Sequence, residues 1–142
     1  MRTIAWAGLS ALLSILAAIA APASAEDGYE LWLRYRPIEA AAAADYRTVA
    51  TQLTPGGESP SIAAATAELR HGLTGLLGTT PGVSETAGAG ALIYGTPAGS
   101  SQIAALHLDL GDLGREGYMI RSLRIDDRPV TVIAANSDVG VL

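Results

Sequence analysis

Asp109 and Asp112 stand three positions apart, and paired carboxylates are the groups that glycoside hydrolysis and other general acid and base reactions use. To divide those roles, a pair needs surroundings that raise one pKa above the other. Gly111 and Gly114 lie around them instead, so a solvated Asp/Gly loop explains both. Asp126-Asp127 reads as a turn for the same reason. His71, between Arg70 and Gly72, is expected on a helix surface, and His107, flanked by Leu106 and Leu108, as a packed strand or loop histidine. The two are 36 positions apart with no evident third ligand, which makes no metal site.

Phosphate and nucleophile chemistry fare no better. Gly88-Ala89-Gly90 precedes an apolar run instead of following a strand and opening a helix, so a pyrophosphate would find no helix N-terminus. The sequence holds no Lys, which excludes a P-loop, and no G-x-S-x-G elbow. Tyr29, Trp32 and Tyr35 are able to stack on a sugar, but at strand spacing they read first as core or inter-domain packing. The residues define no catalytic, cofactor-binding or metal site.

Composition narrows the class further. The 142 residues suffice for one ordinary domain, and zero Cys with two His exclude a disulfide framework or zinc finger. All nine basic residues are scattered Arg against 14 acidic ones, a balance of −5 that argues against nucleic acid. Arg2, the apolar run 4–19 and Ala23-Ser24-Ala25 have the pattern of a signal peptide cleaved after Ala25. The expected product is exported, periplasmic or extracellular, and without a membrane segment once cleaved.

The elements follow from periodicity. Tyr29, Leu31, Leu33 and Tyr35 alternate with Glu30, Trp32 and Arg34, which predicts a strand over 29–35, stopped by Pro37. A helix is expected over 38–53, through five consecutive Ala and ended by Pro55-Gly56-Gly57. A second, from Ser59-Pro60 to Gly78, carries Ile62, Ala65, Leu69, Leu73 and Leu76 as one stripe. Residues 78–90 read as loop, 91–94 as a buried strand, and Thr96-Pro97 as the opening of a short helix to Leu106. Residues 117–123 and 130–134 predict an antiparallel hairpin across 126–129. The order is βααβαββ, an α/β layer with helices against a small mixed sheet. Asn136-Ser137-Asp138 are helix-capping residues with four residues after them, as at the start of an element of a longer protein.

Three stretches carry a family resemblance. Residues 26–35, EDGYELWLRY, with Pro37-Ile38, resemble the start of mature microbial α-glucuronidases of glycoside hydrolase family 67. GREGYMIR at 114–121 and VIAANSDVGVL at 132–142 resemble the end of that family's N-terminal domain, with Gly95-Thr96-Pro97 and residues 100–103 in order between them. Arg36 departs from the pattern, which favours an acidic residue there. The resemblance implies an α/β (α+β) fold: a two-layer sandwich of a small mixed sheet with helices on one face, similar to the non-catalytic domain 2 of β-hexosaminidases. With the signal peptide at 1–25 set aside, it implies an N-terminal domain at 26–142, with a catalytic (β/α)₈ barrel after 142 as the partner. The implied parent removes α-1,2-linked glucuronic acid or its 4-O-methyl ether from glucuronoxylan oligosaccharides, with inversion and no cofactor, and leaves room for a homodimer. Its catalytic carboxylates map onto no residue here, so this stretch alone is expected to be inactive. The rival reading is a free-standing exported carbohydrate-binding or adaptor module; a β-hexosaminidase-type domain is opposed by residues 26–35.

Overall fold

The structure is a computed structural model and describes residues 34–142. The expected signal segment and the expected strand up to residue 33 lie outside the described residues. Arg34 and Tyr35, at the end of that strand, lie in irregular chain.

Ala40–Val49 forms helix α1 on the strength of its alanines, with Ala43 buried. It stops at Val49, short of the expected Leu53, because the chain then joins the sheet: Thr51 N–H donates to Gly90 O, and Gln52–Gly56 is strand β1. Pro55 therefore lies inside a strand. The Leu53 carbonyl accepts from Ser84 N–H on the β2 side, so Pro55, two residues on, turns its missing donor to the same side. There β2, Gly82–Val83, pairs only with Gln52 and Leu53, so among the described residues no strand awaits that donor. The expected loop 78–90 thus contains a two-residue strand, too short to leave a periodic signal.

Helix α2, Pro60–Leu77, is bounded as its sequence dictates. Ser59 Oγ accepts from Ile62 N–H, Pro60 fills the first turn, and Gly78 at φ 69° closes the end. Arg47 of α1 donates to the Leu77 carbonyl at 2.9 Å, satisfying an acceptor that the helix leaves open. Strand β3 is Ala91–Gly95. Helix α3 is Ser101–Ala104, capped by Ser100 and starting later than expected: the Thr96 hydroxyl does cap a turn by accepting from Gly99 N–H, but Ser100, extended at φ −136° and ψ 115°, breaks that turn before the helix begins. A 3-10 turn at Gly111–Leu113 leads to β4, Tyr118–Ile125, and β5, Arg128–Ala135, the predicted hairpin. Asp126 and Asp127 make its turn, both at positive φ. Helix α4, Asp138–Val141, closes the chain on the Ser137 cap.

The strands form one mixed sheet in the order β2-β1-β3-β5-β4, parallel except for the β4–β5 pair. One face buries Leu53, Leu92, Tyr94 and Ile133 under Ile62, Ala65, Leu69 and Leu73 of α2 and Val141 of α4. Each such aliphatic side chain contributes on the order of 2 kcal/mol. The other face buries Ala91, Ile93, Val130, Val132 and Ala134 beneath Ile103, Leu106, Leu108, Leu110 and Leu113, from α3, the 3-10 turn and their loops. The result is a small α+β sandwich whose long helices share one face.

Candidate functional site

The groups singled out for chemistry do not converge. Asp109 and Asp112 are exposed, and Asp109 Oδ1 accepts from Gly111 N–H at 3.3 Å, a local turn contact. Asp126 pairs with Arg128 at 3.1 Å on the surface of the hairpin turn. His71 is exposed on α2, as expected, with its ring edge-on to Tyr35 at 5.3 Å. His107 is exposed at φ 48°, in the turn after α3, where a packed position was expected. The physical reason is that Leu106 and Leu108 both turn toward the core and leave the residue between them outside. Among the described residues, no three His, Cys, Asp or Glu groups gather as a metal set.

Open α/β sheets bind ligands where neighbouring parallel strands send their connections to opposite faces. Here β1 feeds α2 on one face and β3 feeds α3 on the other, so the crevice belongs between Gly56 and Gly95. It is filled by main chain. A Cβ on Gly56 would stand 2.7 Å from Ser100 Cβ, and one on Gly95, at φ 153°, 2.8 Å from the Gly56 carbonyl.

Recesses lie elsewhere on the described residues. An apolar groove of about 480 Å³ runs over the helix face, with Leu92, Thr131 and Ser122 as its floor, Tyr46 and Val49 on one wall, and Leu73, Leu76 and Leu77 on the other. A shallower recess of about 440 Å³ lies between α3 and the end of β4, lined by Ser101, Gln102, Ala105, Leu106, Arg124 and Ile125. The first offers shape and hydrophobic area; its polar groups are Ser122, Thr131 and the Tyr46 phenol. The buried tyrosine, Tyr94, is enclosed instead. Thr66 Oγ1 donates to Ile62 O at 2.8 Å, so the Tyr94 hydroxyl, 2.6 Å away, donates to Thr66. Burial pushes the Tyr94 phenol above its ordinary range, and Thr66, able to turn its proton to a phenolate, offsets part of that.

A mixed five-stranded sheet with its long helices on one face defines a small α+β sandwich domain. Comparison with known families gives its membership: the family described as glycosyl hydrolase family 67 N-terminus matches residues 31–142, and the chain belongs to it. Membership implies a glycoside hydrolase parent and a catalytic partner domain within it. No curated protein matches the chain. The family signal lay in the stretches 26–35, 114–121 and 132–142, and the last two fall on the β4–β5 hairpin and α4.

Proposed function

We propose that the chain is the non-catalytic N-terminal domain of an exported α-glucuronidase, which releases glucuronic acid or its 4-O-methyl ether from xylo-oligosaccharides with inversion. The family match over residues 31–142 carries this reading. The non-catalytic role is supported by the exposed positions of Asp109 and Asp112, with Asp109 engaged by its own turn. Export is supported by the signal-type pattern of the first 25 residues, with Glu26 as the mature start. The domain's work in this reading is structural: it presents a preformed surface to the catalytic barrel.

The test uses both proteins. The full-length parent should release glucuronic acid from aldobiouronic acid, and the 142-residue chain should release none. Turnover by the chain alone would overturn the non-catalytic role, and a parent inactive on glucuronosyl linkages would overturn the substrate. N-terminal sequencing of the exported product should read Glu-Asp-Gly-Tyr from Glu26.

A further inference from the structure

We infer that the corner formed by β4 and α4 is the surface on which the parent's catalytic domain docks. The inference rests on the family reading above and adds to it the face that is used.

Among the described residues, strand β4 is an edge of the sheet, hydrogen-bonded to β5 alone. Its Met119, Leu123 and Ile125 turn to the loop face and pack in the core there. Tyr118 and Ile120 alternate with them and so lie on the helix face, beside Ala135 and Ile133 of β5. Helices α1 and α2 do not reach that far, and both side chains are left 58% exposed. A solvated strand face would carry polar residues at those two positions. Helix α4 continues the same surface. A Cβ on its Gly140 would stand 3.0 Å from both Ala135 Cβ and the Gly117 carbonyl, which places the helix directly beside Tyr118. From there it presents Val139, 48% exposed, and Leu142, 64% exposed. Ser137 Oγ donates to Arg115 O at 2.6 Å, and Asn136 to Leu110 O and Gly114 O, so the corner is held before any partner arrives. Exposed Arg115 and Glu116 supply a polar rim beside an apolar centre, the anatomy of a protein interface.

The occupant follows from membership. An N-terminal domain of a hydrolase family has a catalytic neighbour, and the matched stretch runs through Leu142, inside the patch.

Hydroxyl-radical footprinting tests the inference, with a reference built into the chain: Tyr46, on α1, is 57% exposed against 58% for Tyr118. In the isolated chain the two tyrosines should oxidise at similar rates; in the full-length parent Tyr118 should fall several-fold relative to Tyr46. An unchanged ratio in the parent would overturn the inference. So would protection of Tyr118 already in the isolated chain, by its own N-terminal segment or a second copy, or a larger loss at Tyr46. A second measurement is Ile120→Asp, expected to lower the melting temperature of the parent and leave that of the isolated chain unchanged; equal effects on both would count against docking. Activity separates the two readings. A parent that cleaves glucuronosyl linkages with Tyr118 open sinks the docking face alone, whereas an inactive parent with Tyr118 covered keeps the face and sinks the substrate.

Discussion

The Tyr35 ring occupies the space that a side chain at Gly72 would need: a Cβ there would stand 2.9 Å from Tyr35 Cε1 and 3.0 Å from Cζ. One turn on, a Cβ at Gly75 would meet Tyr35 Cβ at 2.6 Å and its carbonyl oxygen at 2.7 Å. Two glycines three apart on α2 thus form a seat for one tyrosine, whose hydroxyl donates to Glu68 on the same helix.

Alanine normally improves a helix interior by about 1 kcal/mol over glycine. At Gly75 the obstacle is backbone, so Gly75→Ala should destabilise by about 1–3 kcal/mol in chemical denaturation. At Gly72 the obstacle is a ring, so Tyr35→Ala should relieve most of the penalty of Gly72→Ala. A double-mutant cycle that proves additive would remove the contact from the argument.

Tyr94 predicts an alkaline limb of stability. Its folded pKa is raised, so the neutral phenol is favoured in the folded state and the unfolded chain ionises first. The contribution is fully present below about pH 10, the unfolded tyrosine value, and is lost as pH rises from there through the folded value. Tyr94→Phe should cost about 1 kcal/mol near neutrality, by leaving Thr66 Oγ1 without its donor. It should also flatten the stability profile above about pH 10, measured by urea unfolding at a series of pH values.

The hairpin turn carries strain that glycine would release. Asp126 and Asp127 sit at φ 47° and 62°, the pattern of a turn that prefers Asn-Gly. Asp127→Gly should raise stability by up to about 1 kcal/mol, since the left-handed region is free to glycine. The change forfeits only an exposed ion pair with Arg124 at 4.0 Å, worth little. A drop in melting temperature would show that the aspartate is needed there.

Asn136 ties the end of β5 to the loop beneath it, donating to Leu110 O at 2.7 Å and Gly114 O at 3.0 Å. Asn136→Ala should cost about 1 kcal/mol by removing two donated hydrogen bonds, with Leu110 O keeping the one it accepts from Leu113 N–H. Hydrogen exchange should then quicken at Leu113 and Gly117, whose amides close that loop on Leu110 and Leu113, and stay unchanged in α2.

Elements whose signal is local were legible in the sequence. Ser59-Pro60 and Gly78 bracket α2 as read, and the β4–β5 hairpin extends its expected strands by no more than two residues at any end. Strand β1 was not legible, because Gln52-Leu53-Thr54-Pro55-Gly56 holds one strong strand former, a proline and a glycine. It is a strand because β3 pairs along its whole length, a contact nearly 40 residues away that no window contains. The family was read from three motif stretches, and the match over 31–142 agrees with them. The docking corner was legible only in part: alternation shows that Tyr118 and Ile120 share a side, but not that the covering helices stop short of it.

The glycine contact between the ends of β1 and β3 sets what this architecture can become. Where related layouts keep a mouth, this one has a weld, main chain against main chain, with Gly56, Gly95 and Gly99 as its joint. A lineage seeking a small-molecule pocket in this sheet would first have to pry that joint apart.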